Sequence, residues 1–326
     1  MNKRLATLTL VVSLLAALSA SAADLEGTWT ASSSEKHPAA IQMNMTHRPK
    51  QMNGSLVSLA RLTGLSQAQV NAAATAPVRF SMRNEAGTLE FDGTFRNGKG
   101  AGQFTFTSNP AYFDALRALG VDLSSERERA EDREELRYIY VMHDVSIAYV
   151  KSMIAAGYRV SLQKYLELRI FNVTPEYIRE MRDLGFRNIT NDEVVSSRIH
   201  HVTPEYVRRM RAAGWNLSLD ELQSTSIHGA TPEFAAEMKK AGYGDLDIDD
   251  LVSFRIHRVT PEFIREMREV GYDKIDKDDL VSMRIHRVTP QFVRELKAAG
   301  YTRVPVEKLI SMRIHGVDAE LLRKMK

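Results

Sequence analysis

The 326-residue sequence contains no cysteine, which excludes a disulfide framework, a thiolate metal site and a cysteine nucleophile. Its one long apolar run, Leu5 to Leu18, is too short to cross a bilayer. An excess of one charge is also missing. Lys3 and Arg4 fall in an expected leader, and without them 42 basic residues face 41 acidic ones, which removes the electrostatic footprint of a nucleic-acid binder. His-Glu-x-x-His, Gly-x-Ser-x-Gly, the P-loop and the dinucleotide fingerprint are absent. Carboxylate pairs such as Asp249-Asp250 and Asp278-Asp279 recur only at helix starts, where capping accounts for them. No enzyme, metal or cofactor is expected. With 44% hydrophobic and 26% charged residues, the chain can bury a core and is not a disordered tail.

Residues 1 to 23 have the three parts of a secretory signal peptide: basic Lys3-Arg4, the apolar run, then small residues Ser19 to Ala23. The mature chain is expected to begin near Ala23 or Asp24, to have no membrane span, and to be periplasmic or secreted. No cysteine follows the small residues to carry a lipid anchor.

Residues 24 to 108 read as an antiparallel β domain, because apolar residues alternate with polar ones. Val78, Phe80 and Met82 form one inward row, Leu89, Phe91, Gly93 and Phe95 a second, and Gly102, Phe104 and Phe106 a third. Asn97-Gly98 supplies a hairpin turn that tolerates positive φ. Weaker strands are expected at Thr28 to Ala31 and Ile41 to Thr46, and a short helix within Gln67 to Thr75. Gly27-Thr28-Trp29 resembles the Gly-x-Trp of lipocalin-type barrels, which implies a barrel able to hold a small apolar ligand; a core tryptophan is the plainer reading of Trp29.

The rest of the chain is an internal repeat. Five copies begin at Val173-Thr174-Pro175-Glu176, Val202-Thr203-Pro204-Glu205, Ala230-Thr231-Pro232-Glu233, Val259-Thr260-Pro261-Glu262 and Val288-Thr289-Pro290-Gln291, spaced 29, 28, 29 and 29 residues apart. A degenerate copy precedes them at Val145-Ser146-Ile147 and a truncated one follows at Val317. Within each unit, Thr is the N-cap of a first helix, Pro takes its first position and Glu meets the positive end of the dipole. The helix stops at a glycine, Gly185 or its counterparts Gly157, Gly214, Gly242, Gly271 and Gly300, suited to a left-handed C′ position. A second helix starts at the capping boxes Thr190/Glu193, Ser218/Glu221, Asp247/Asp250 and Asp276/Asp279, carries Leu251, Val252 and Ile256 or their equivalents, and ends at Ile-His. Two short helices cannot bury their faces alone, so neighbouring units must stack. The expected architecture is therefore α+β. A β domain (24–108) is followed by a first helix and charged helical linker (109–141, with the dense mixed-charge run 126–137) and an α-solenoid (142–326).

Six of the nine histidines, His143, His200, His228, His257, His286 and His315, share one repeat position, which Phe171 takes in another unit. Stacked helices lie about 8–10 Å apart, too far for one histidine per repeat to converge on a metal, and the expected role is to cap carbonyls at the helix end. Arginines repeat as well. Arg179, Arg182, Arg208, Arg211, Arg265, Arg268 and Arg294 line the first helices, and Arg198, Arg255, Arg284 and Arg313 precede the histidine position by two residues. They form the candidate interaction surface, with a solvated salt-bridged face as the plainer reading.

The phrase Val173-Thr174-Pro175-Glu176-Tyr177-Ile178-Arg179-Glu180-Met181-Arg182 with Leu184-Gly185-Phe186, and its copies from Asn109 to Lys326, resembles helical repeats in extracytoplasmic regions of bacterial M56-type, BlaR-like sensor metallopeptidases and related exported proteins. The zinc motif and membrane helices of that family are absent, so no catalytic residue carries over. The resemblance implies a stand-alone exported sensor or scaffold module. The expected function is a non-enzymatic interaction protein whose repeats meet an envelope or extracellular protein or peptide. The alternative is a small-ligand binder with its site in the β domain.

Overall fold

The computed structural model describes residues 25–48, 51–124, 137–317 and 321. The expected leader, nearly all of the charged run 126–137, and all but Leu321 of the partial repeat beyond Val317 lie outside the described residues. The fold is α+β: a six-stranded antiparallel sheet followed by a regular series of helices.

The strands are β1 (Leu25–Ser33), β2 (Ala40–Arg48), β3 (Gln51–Ser58), β4 (Ala76–Asn84), β5 (Gly87–Arg96) and β6 (Lys99–Ser108), ordered β3-β2-β1-β6-β5-β4. The three hairpin strands read from the alternation are present, and the two weaker ones are longer than their apolar cores. β3 has no counterpart in the pattern, because it is an edge strand of mostly polar residues. Between β5 and β6, Asn97 and Gly98 both take positive φ, 47° and 75°, as a two-residue hairpin turn requires. Val78, Phe80, Met82, Leu89, Phe91, Phe95, Phe104 and Phe106 are buried as the period predicts. Trp29 lies among them, 5.4 Å from the Phe80 ring and 5.5 Å from Phe95, and its indole N–H donates to the Asp92 carbonyl at 3.2 Å. It fits because Gly93 has no side chain; a Cβ there would stand 2.8 Å from the indole.

Compactness divides the chain differently from periodicity: one unit ends at Arg169 and the next begins at Ile170. The reason is that the first helices close the sheet's core. α1 is Gln67–Val70, α2 Pro110–Ala118, α3 the stretch 137–142, α4 Ile147–Ala155 and α5 Leu162–Ile170. Tyr138 of α3 packs its ring 6.0 Å from Phe104 and 5.9 Å from His47. Arg61, after β3, donates to the carbonyls of Val141 and Met142 at 2.7 Å each and so caps α3 from the β side. Asn84 donates to the Tyr140 carbonyl at 3.1 Å, and the Tyr112 hydroxyl to that of Val145 at 2.7 Å.

The second unit holds α6 (Pro175–Asp183), α7 (Asn191–Ile199), α8 (Pro204–Ala212), α9 (Leu219–His228), α10 (Pro232–Lys240), α11 (Ile248–His257), α12 (Pro261–Glu269), α13 (Lys277–Ile285), α14 (Pro290–Ala298) and α15 (Val306–Ile314). First helices pack on first helices, α6 on α8 and α12 on α14, while α7, α9, α11, α13 and α15 form a second stack. Thr174, Thr203, Thr231, Thr260 and Thr289 each accept a first-turn N–H at 3.1–3.3 Å. The closing glycines of these first helices have φ of 92–94°. After Gly271, for example, the Tyr272 N–H returns to the Met267 carbonyl at 3.0 Å. The capping boxes of α7, α9 and α11 form as spaced. The expected Asp276/Asp279 box does not, because the Asp276 carboxylate takes the Asp278 N–H at 2.9 Å instead.

Candidate functional site

Arg-Ile-His ends most second helices, and the three side chains go three ways. The arginine lies over an aromatic ring: the guanidinium carbons of Arg198, Arg255, Arg284 and Arg313 lie 5.0, 4.8, 4.9 and 5.1 Å from the ring centres of Tyr177, Phe234, Phe263 and Phe292. The Nε of Arg198, Arg255 and Arg284 donates to the carbonyl of Phe171, His228 and His257 in the preceding repeat, at 3.2, 3.1 and 3.4 Å. These residues brace one repeat against the next. Arg255 stays exposed and Arg198, Arg284 and Arg313 half-buried, so the same side chains also reach the surface.

The residue after each arginine is rotated by about 100° on the helix and reaches solvent. Ile199, Ile227, Ile256, Ile285 and Ile314 are 45–55% exposed. On the same helix Leu251 is buried and Ile256 is not. Single exposed apolar residues are ordinary. Here the stacking of α7, α9, α11, α13 and α15 sets one isoleucine beside the next at a helix spacing, about 8–10 Å, so the five form a ladder. Ile170 and Phe171, 45% and 36% exposed, occupy the same place in the preceding copy. The sequence signal was the phrase itself: Ser-Ile-His at 226–228, and Arg-Ile-His at 198–200, 255–257, 284–286 and 313–315.

The histidines border the ladder, half-buried at 200, 228, 257 and 286 and exposed at 315. Their expected capping role is not what the structure shows. No imidazole at these five positions makes a hydrogen bond, ion pair or ring contact with another described residue. The carbonyls there are taken by neighbours: those of His228 and His257 by the braces, and that of His200 by the Ser226 hydroxyl at 2.6 Å. The opposite border is acidic, with Asp192, Asp220, Asp249 and Asp278 exposed in the first turns. Behind it the capping carboxylates of Glu193 and Glu221 are held below the usual carboxylate range, the first chiefly by the Thr190 N–H and the second chiefly by the Ser218 hydroxyl. Lys277 reaches Asp250 of the preceding repeat at 2.6 Å.

The first-helix arginines divide into two groups. Arg208 pairs with Glu180 at 2.8 Å, and Arg211 and Arg268 donate to the carbonyls of Leu184 and Ala241 in the repeats before them. Arg182 is half-buried and engaged. Arg179, Arg265 and Arg294 are exposed. Among the described residues no three His, Asp or Glu side chains come together in a group that could hold a metal ion, and no helix is long and apolar enough to cross a membrane. The arrangement offers apolar contact between a histidine border and an acidic one. Compared with family models, curated proteins and solved structures, the chain shows no match to any.

Proposed function

We propose that this chain is an exported, non-enzymatic interaction module, a sensor or scaffold that presents its second-helix stack to an envelope or extracellular protein or peptide. The observation that carries the reading is the isoleucine ladder. Five β-branched side chains are held half out of water at one repeat position, although the same helices bury Leu222, Leu251, Leu280 and Leu309 to within 1%. Leaving that much apolar surface exposed in register is the mark of an interaction face. Repeat stacks provide such faces because each unit adds one copy of the same residues. The partner that fits is apolar where it meets the isoleucines and basic where it meets the aspartate border.

A ligand held inside the β domain is less well supported, since Trp29, Phe80, Phe91 and Phe95 fill the interior of the sheet with rings in contact at 4.7–6.3 Å. The test compares the mature chain with an Ile227→Asp/Ile256→Asp/Ile285→Asp variant in capture from envelope extract. Loss of captured protein with an unchanged circular-dichroism melt supports the ladder as the interface; equal capture by both overturns it. Mass analysis of the exported chain checks the compartment, with a start near Ala23 or Asp24 expected and an intact Met1 the contrary result.

A further inference from the structure

One repeat departs from its siblings, and the departures converge on one place. Where α6, α8, α12 and α14 carry Ile178-Arg179, Val207-Arg208, Ile264-Arg265 and Val293-Arg294, α10 carries Ala235-Ala236. In the siblings the β-branched residue is buried to 1–2% exposure and fills the space against the neighbouring repeat. With alanine there, a cavity of about 270 Å³ opens, walled by Trp215 and Tyr243 and lined by Ala235, Ala236, Leu246 and Leu251.

Two further breaks in the pattern leave donors at this cavity. Arg211 and Arg268 donate to the C-cap carbonyl of the repeat before; their counterpart Lys239 makes no such bond to Ala213, and its stem lies instead beside Gly244. The Tyr243 and Tyr272 hydroxyls donate across to the next loop, at 2.8 and 2.6 Å to Ile275 and Val304. Trp215, one repeat earlier, makes no such bond with any described residue. Lys239 is also the one charged residue among those lining the cavity. The site therefore combines two aromatic side chains, an apolar floor, an indole N–H with no partner among the described residues, and the exposed side chain of Lys239 at its edge.

We infer that the cavity between Trp215 and Tyr243 is a binding site for a small aromatic carboxylate, its ring between the two aromatic walls and its carboxylate toward Lys239. Apolar pockets with a few convergent polar groups are the usual form of such sites, and stacking favours a planar ring over an aliphatic chain. This site is independent of the isoleucine ladder. The test is isothermal titration calorimetry of the mature chain with cinnamate and with its neutral isostere cinnamamide.

Saturable binding of cinnamate at one site is expected, with cinnamamide weaker by about three- to fivefold, the value of one partly exposed charge pair. Lys239→Gln should remove that preference and leave cinnamamide binding unchanged. Ala235→Ile/Ala236→Arg, which copies the Ile264-Arg265 pair of a sibling, should abolish binding. Ala236→Arg alone, at an exposed position, obstructs the mouth and keeps the test open if the double variant unfolds. No saturable heat at about 10 mM cinnamate, equal affinities for acid and amide, or undiminished binding by the folded filled-in variants overturns the inference.

Discussion

Arg255 holds its guanidinium carbon 4.8 Å from the centre of the Phe234 ring while its Nε donates to the His228 carbonyl at 3.1 Å. One side chain thus joins the two helices of its own repeat to the end of the one before. Arg169 does the same in the first unit, over Tyr149 at 4.8 Å and to the His143 carbonyl at 3.1 Å. The repeat without this arginine rebuilds both halves with other atoms: Ser226 donates to the His200 carbonyl, and the Tyr206 hydroxyl meets Thr225 Oγ1 at 2.8 Å. Arg255→Ala should cost about 1–3 kcal/mol, since it removes a ring contact and a hydrogen bond from a charged donor. Arg255→Lys should recover less than half of that loss, because an ammonium lacks the planar fork. Urea midpoints read by Trp215 fluorescence check both, and a lysine variant as stable as the parent would count against the brace.

The caps of α12 are expected to fail in two different ways. Thr260 accepts the Phe263 N–H at 3.2 Å, so Thr260→Ala should cost about 0.5–2 kcal/mol. At Gly271 the loss is torsional: φ is 92°, and an added Cβ would meet nothing nearer than Lys297 Nζ at 3.5 Å. Gly271→Ala should therefore cost about 1–2 kcal/mol through strain alone. Gly102→Ala in the sheet meets the Asp92 carbonyl oxygen at 1.9 Å and should disrupt the core around Trp29 far more severely. A Trp29 emission spectrum unchanged in the Gly102 variant would refute that packing.

Where one residue's chemistry sets the local structure, the sequence was readable. Thr-Pro-Glu starts and glycine stops placed the first helices, and period-two rows placed β4, β5 and β6. Legibility fell where a strand's partner supplies the reason for its existence. β3 is polar and forms only by pairing with β2 along the sheet edge. It fell again at Arg-Ile-His, where the pattern does not record which of the three side chains lies over a neighbouring ring. The aromatic ring one helix away gives the guanidinium a face to lie on, and the isoleucine that follows faces water. The unit boundary at Arg169 depends on Arg61 meeting α3 across about 80 residues of chain, through its bonds to the Val141 and Met142 carbonyls. No local pattern records such a contact.

His143 stands apart from the other repeat histidines because it lies near Arg61 and Arg169. Burial, then Arg61, then Arg169 lower its pKa from the ordinary value of 6.5. The folded state thus holds it neutral over a range where the unfolded chain binds a proton, and stability rises with pH across that window. Acidification from pH 7.5 through 6.5 toward 5 should destabilise the first unit, as followed by Trp29 emission. His143→Phe, which copies Phe171, should flatten this part of the pH dependence. An identical slope in the variant would assign the effect to other groups.

His257 tests whether the repeated imidazoles are there for their side chains or their backbone. Its carbonyl accepts from Arg284 at 3.4 Å, while its ring makes no bond with another described residue. A backbone acceptor survives any side chain except one that distorts the helix end. The neighbouring Arg258 already sits at φ 57°, closing the helix without help from the imidazole. His257→Phe and His257→Ala should therefore both lie within about 1 kcal/mol of the parent, the span of ordinary half-exposed substitutions. Arg284→Ala, which removes the donor to the same carbonyl, should cost more than either. A chelator should leave the helical melt unchanged, because histidines one helix spacing apart cannot converge on one ion. A His257→Ala variant less stable than Arg284→Ala, or a melt lowered by many degrees on chelation, would return the column to a side-chain role and make metal binding the first property to measure.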